Sequence, residues 1–339
     1  MKAIQVVKAY DMQLIEKEIP KIKKNNEVLV KVMATGICGS DVHIYHGTSP
    51  VATYPRVIGH EVVGQIVEIG SAVSKLKIGD RVIMEPIEYC GKCYACKLGR
   101  GNVCQNLKVI GVHEDGGFQE YICLPEKLLH IIPDEVSYIQ AVMIEPYTIG
   151  CQASWRAGVL EGDIVLIYGA GPVGLIVLDT VKNLGATCII SDINDQRLAF
   201  AKEFGADYTL NPLRDQVEEK VRELTGGMGA NVVFDAVGIP SIFANALKIA
   251  SVAGRVVSMA FTDEPTPISM LEITKKELNV VGTRHQTKKF KEVIMDFPSR
   301  IDKIDKLITH VFNFEEYEKA FELSDDKNSG AGKIVLTYY

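Results

Sequence analysis

Four cysteines crowd one short stretch. Cys90-Gly91-Lys92-Cys93-Tyr94-Ala95-Cys96 leads on to Cys104, a C-x2-C-x2-C-x7-C spacing. Four thiolates with no coordination position left open make a closed, tetrahedral structural zinc site. The bacterial iron–sulfur run continues with a three-residue gap and a Cys-Pro pair, which this loop lacks. No secretory leader is expected, so metal ligation is expected to take precedence over disulfides. A second set is scattered: Cys38 next to Gly39, His60 in Gly59-His60-Glu61, and Glu145 in Ile144-Glu145-Pro146. One cysteine, one histidine and one carboxylate form a three-ligand set whose fourth position stays open for water or substrate. A third stretch reads Gly169-Ala170-Gly171-Pro172-Val173-Gly174. In this G-x-G-x-x-G spacing the first glycine permits a tight turn, the second lets backbone approach a pyrophosphate, and the third lets helix pack on strand.

These groups need elements to hold them. The apolar run Ile164–Tyr168 before Gly169 predicts a buried parallel strand. Pro172 suits a first helical turn, where its missing N–H has no helical partner. The helix that follows directs free N–H groups and its positive dipole end at phosphate. Asp192 ends the next expected strand, 187–191, and is placed to accept from a ribose diol. From about residue 162 strand and helix patterns alternate, which predicts a parallel, doubly wound sheet. Residues 1 to about 150 carry short β-type runs broken by turns, which predicts a compact β-barrel. The tail from about residue 285 is too short for a domain of its own and is expected to rejoin the first. The predicted domains are therefore 1–150 with 285–339, including a zinc lobe at 88–106, and 151–284.

Composition excludes several classes. A net charge of -6 and a pI near 5.7 leave no basic footprint for nucleic acid or an anionic membrane. The start resembles a strand and lacks a signal-peptide core. The longest apolar stretch, 164–178, is too short to span a bilayer. A cytoplasmic protein is expected.

Taken together, Gly59-His60-Glu61, the run Cys38-Gly39-Ser40-Asp41-Val42-His43, the four-cysteine lobe and Gly169–Gly174 resemble the zinc-containing medium-chain alcohol dehydrogenases. The likeness covers essentially the whole chain. Within the family it lies closest to the polyol, threonine and sugar-acid branch, especially the L-galactonate and L-gulonate 5-dehydrogenases and starvation-sensing relatives. The stretches 54–61, 109–118 and 142–149 carry that likeness.

The resemblance implies an α/β architecture: a GroES-like β-barrel catalytic domain and a Rossmann domain for NAD. It implies two zinc ions per chain. Cys38 and His60 would hold the catalytic ion with Glu61 or Glu145 as the third ligand, and Cys90, Cys93, Cys96 and Cys104 the structural one. Neighbours on a regular strand face opposite ways, so His60 and Glu61 can share an ion only if the backbone bends at Gly59. Ser40 matches the family's hydroxyl relay, with His43 passing the proton to solvent. Val173 completes the cradle, and Arg197 would contact the adenine side. Asp192 would repel a 2′-phosphate, so NAD is expected over NADP. Tyr45 and Phe118 match cleft-lining positions, and Arg284 would clamp a carboxylate through two parallel hydrogen bonds. The expected reaction is reversible oxidation of a secondary alcohol of a sugar acid or polyol. L-Threonine, butanediol or sorbitol as substrate is the alternative, and a non-catalytic regulatory paralogue is disfavoured. A homodimer or homotetramer is expected.

Overall fold

The computed structural model describes residues 1–326 and 329–339. The chain forms two compact units, Met1–Pro146 with Thr287–Tyr339, and Tyr147–Gln286.

In the first unit the long strand Glu27–Ile37 is central. It pairs antiparallel with Glu61–Ile69, with Tyr121–Pro125 and with the last strand, Lys333–Thr337. That last strand also runs parallel to Ile308–Asn313. The tail thus joins the sheet of the first unit, as its apolar run Ile334–Leu336 favours. Alternate residues of the central strand bury Val28, Val30 and Val32 in one cluster with Val62, Ile66 and Ile122. A second cluster gathers Ile4, Val57, Ile58 and Phe118 with Phe314, Phe321 and Leu336.

In the second unit six strands are all parallel. Their order is Tyr208–Leu210, Thr187–Ser191, Ile164–Tyr168, Ala230–Asp235, Ala250–Ser258, Asn279–Gly282. In chain order this is 3-2-1-4-5-6, the doubly wound arrangement whose ligand crevice lies outside the strand ends where the order reverses. Leu166, Ile189 and Val233 from adjacent strands are fully buried together. Helices Pro172–Asn183 and Pro240–Ile249 both start with proline in the first turn.

Candidate metal centres and cofactor cradle

The four thiols of the cysteine loop converge. Sγ of Cys90, Cys93, Cys96 and Cys104 all lie within 4.8 Å of one another. Individual S···S separations are 3.5 Å for Cys93–Cys96, 3.8 Å for Cys93–Cys104 and 3.5 Å for Cys104–Cys90. Tetrahedral zinc with its usual sulfur distance needs edges of about 3.8 Å, so this donor set fits zinc. Backbone N–H groups reinforce it: those of Cys90 and Asn106 donate to Cys104 Sγ at 3.3 Å. The N–H groups of Lys92 and Cys93 bring the Cys90 thiol down to about 6, while burial pushes Cys96 up to about 12.

The scattered set converges as well. One ligand atom each from Cys38, His60 and Glu61 lies within 4.8 Å of the others. Cys38 follows the central strand and is the N-cap of the short helix Gly39–Tyr45. His60 and Glu61 reach one point because Gly59, at φ 92°, turns the chain just before the strand Glu61–Ile69 begins. The bend that adjacent strand residues require is therefore present, and only glycine takes that φ without strain. The Phe118 ring seals the outside of the bend: a Cβ on Gly59 would lie 2.2 Å from it.

Gly36 makes room for the carboxylate. It pairs with Glu61 across the sheet, and a Cβ there would lie 1.8 Å from Glu61 Oε2. Asp41, fully buried, ties the two ligand segments together. Its Oδ2 accepts from the Cys38 N–H at 2.9 Å and its Oδ1 from the Gly59 N–H at 3.2 Å. Asp41 Oδ1 also stands 3.4 Å from His60 Nδ1, without hydrogen-bond alignment. A buried imidazole with such a nitrogen, beside a thiol and a carboxylate, is a donor set suited to a divalent ion. Burial opposes charge on His60, but Asp41 and Cys38 outweigh it and raise its pKa well above the usual value.

Lys333 is the residue that sequence reasoning missed. Its Nζ donates to both Glu61 oxygens, at 2.6 and 2.7 Å, and to the Ile37 carbonyl at 3.2 Å. Both side chains are nearly inaccessible, 6% for lysine and 2% for glutamate. Burial opposes the ammonium, yet Glu61 and Cys38 hold its pKa above the ordinary value. Glu145, the other carboxylate, opens the helix Ile144–Ala157 and is buried. Burial, with Glu61 and Asp41 adding to it, raises its pKa to about 7 against the opposing charges of His60 and Lys333.

The remaining residues of the first unit divide. Ser40 and His43 are exposed on the short helix, three positions apart, and His43 Nδ1 bonds Thr48 Oγ1 at 2.9 Å. Tyr45 is partly buried, edge-on to Phe321. Phe118 requires a correction. Expected on the substrate cleft, it is 0% exposed and packs in the core, because its ring backs the Gly59 bend.

In the second unit the three glycines differ in what they do. Gly169 takes φ 97°. A Cβ on Gly174 would lie 1.9 Å from the Gly169 carbonyl oxygen. A Cβ on Gly171, the N-cap of helix Pro172–Asn183, would meet nothing within 4 Å. Open space at the cap, where unpaired N–H groups gather, is a cradle that fits a dinucleotide's pyrophosphate. Val173 is 42% exposed in the first turn. Asp192 accepts from the Ala170 N–H at 2.8 Å and the Asn194 N–H at 2.8 Å, which seats it beside the turn. Arg197 is in the first turn of helix Asp195–Phe204, its N–H held by Asn194. Arg284 is partly buried, its guanidinium 4.8 Å above the Phe261 ring.

Family models match two parts of the chain. Residues 24–134 match the alcohol dehydrogenase GroES-like domain, and residues 172–300 match the zinc-binding dehydrogenase domain. The starvation-sensing protein RspB of Escherichia coli is 41% identical over 100% of this chain and 99% of its own. An L-threonine 3-dehydrogenase of Pyrococcus abyssi is 37% identical, covering 99% and 98%. The L-galactonate-5-dehydrogenase of Escherichia coli is 34% identical, covering 95% of each. The crystal structure of rspB from Escherichia coli CFT073, complexed with NADH, superposes with a TM-score of 0.94 at 41% identity, covering 100% and 99%.

Proposed function

We propose that this chain, which belongs to the zinc-type alcohol dehydrogenases, catalyses reversible oxidation of a secondary alcohol of a sugar acid or polyol with NAD+. One observation carries the reading: ligand atoms of Cys38, His60 and Glu61, from two segments of the chain, lie within 4.8 Å of one another in a chain that also builds a glycine cradle. A bound zinc would lower the pKa of an alcohol much as it brings that of water towards about 7, and a bound NAD+ would supply the hydride acceptor. Cys38 and His60 hold that ion, with Glu61 or Glu145 as third ligand. The other zinc belongs to Cys90, Cys93, Cys96 and Cys104.

The chain's own residues do the rest. Ser40 takes the alcohol proton, and His43, one helical turn away, passes it to solvent. Gly169, Gly171, Pro172, Val173 and Gly174 bind pyrophosphate through backbone N–H groups. Asp192 accepts from the ribose hydroxyls, and its negative charge disfavours a 2′-phosphate, which supports NAD over NADP. Arg197 lies against the adenine side. Arg284 supports an anionic substrate, because a guanidinium offers a carboxylate two parallel hydrogen bonds. Tyr45 lines the same substrate cleft.

We read the assembly as a homodimer or homotetramer. The edge strand Asn279–Gly282 has one strand neighbour among the described residues, and Val280 on it is exposed. No helix among the described residues is long and apolar enough to cross a membrane. The clustered thiols of Cys90, Cys93, Cys96 and Cys104, arranged for a metal ion, support a reducing, cytoplasmic setting.

The test is a panel of sugar acids, polyols, butanediol and L-threonine, each with NAD+ and NADP+, followed at the nicotinamide band. Turnover of a sugar acid with NAD+ preferred at least tenfold is expected. Turnover confined to L-threonine would move the substrate to the second reading, which the 37% identity to the Pyrococcus enzyme favours.

A further inference from the structure

The chain passes from the second unit back to the first between Gln286 and Thr287, through unusual backbone. His285 and Lys288 take φ values of 48° and 58°, left-handed values that residues with a Cβ avoid. Such conformations persist where the surroundings over-determine them.

Thr287, between the two, shows what does so. Its hydroxyl accepts from the Asn102 backbone N–H at 2.8 Å and donates to Asn102 Oδ1 at 2.8 Å. The two bonds close a ring between residues 185 apart in sequence. Asn102 is 2% exposed and sits on the one-turn helix Gly101–Val103, between Cys96 and Cys104. That turn is itself seated. Gly101 lies so close to the Tyr89 ring that a Cβ would come within 2.7 Å of it, and the Cys104 N–H donates to the Gly101 carbonyl. Just beyond, Phe290 stacks on His130 at 4.8 Å, and His130 is held by Glu85 at 2.9 Å.

We propose that the four-cysteine lobe latches the return segment, with Asn102 and Thr287 as positioning residues that hold the path 285–288, whose ends His285 and Lys288 are left-handed. A buried asparagine needs partners in any case. A hydroxyl that uses both donor and acceptor on one residue, within two positions of the left-handed His285 and Lys288, fixes backbone as well. The lobe thereby does more than stabilise its own loop: it fixes the point at which the chain re-enters the first unit. Any consequence for substrate binding rests on the reading of Arg284 above; the latch does not.

The experiment is limited trypsin digestion of the full-length, zinc-loaded protein, with mass spectrometry of cleavage after Lys288 and Lys289. Proteases need an extended segment, so cleavage reports release of the latched path. Thr287→Val keeps the side-chain shape and removes both bonds. It is expected to speed cleavage at these two sites roughly tenfold with two zinc ions retained, because the open population governs the rate. Thr287→Ser is expected to restore the wild-type rate. Wild-type cleavage of Thr287→Val with zinc unchanged would overturn the proposal. If Thr287→Val does not fold, Asn102→Ser removes one bond and decides in the same way: faster cleavage supports the latch, unchanged cleavage rejects it. Arg284→Met separates the two readings, since it should leave cleavage alone whatever it does to substrate binding.

Discussion

Lys333 determines what Glu61 can do. With both oxygens on the ammonium, the carboxylate is ion-paired in a site that water barely reaches. Removing one member of such a pair leaves an uncompensated buried charge. Lys333→Met is therefore expected to lower the unfolding free energy by about 3–5 kcal/mol in urea titrations. Glu61→Gln in the same background should recover most of the loss, and a neutral Lys333→Met would show that the pair does not carry the site. The relay makes a different kind of prediction. Ser40 lies outside the ligand cluster, so Ser40→Ala should slow hydride transfer roughly a hundredfold, as loss of a proton-transfer group does. Zinc content by atomic spectroscopy should stay unchanged. Full turnover in that variant would remove Ser40 from the mechanism.

The strand–turn–helix around Gly169 separates binding from folding. A methyl at position 174 collides with the Gly169 carbonyl, whereas one at 171 enters open space. Gly174→Ala should cost about 1–3 kcal/mol of stability, as overpacking does, seen as a lower melting temperature without cofactor. Gly171→Ala should melt like the wild type but bind NAD+ roughly tenfold more weakly, since backbone can no longer approach the phosphates. Calorimetric titration distinguishes the two, and equal NAD+ affinity in Gly171→Ala would remove that glycine from the cradle. The Gly59 bend works by the same logic. One positive φ converts two residues that should face apart into neighbours, and Phe118 is buried because it fills the outside of that turn.

Across the molecule, two donor sets of different character lie in the same unit. The four-cysteine set is closed, so its ion contributes to folding; the three-ligand set is open. His60→Ala should retain one zinc per chain and remain folded. Cys93→Ser should also drop to one zinc, with a clear fall in melting temperature. Metal analysis beside thermal unfolding checks both, and a fall of similar size in His60→Ala would mean that the two sites share the structural task.

Much of this was legible along the chain. The strand Ile164–Tyr168, the proline-led helix and the C-x2-C-x2-C-x7-C loop are short-range patterns, and a few residues of backbone carry all their geometry. The alternating rhythm of the second unit follows from local periodicity too. Lys333 was not legible, because 272 residues separate it from Glu61 and nothing near it in sequence marks it as a partner. Sheet register decides that contact: the last strand sets Ile334 opposite Ile37 while Gly36 faces Glu61. The same holds for Asn102 and Thr287, and for Phe118, whose burial depends on a bend elsewhere. Local spacing names the groups able to do chemistry. Which charges neutralise them, and which aromatic rings are walls of a cleft or filling of a core, follows only when distant strands pair and exclude water.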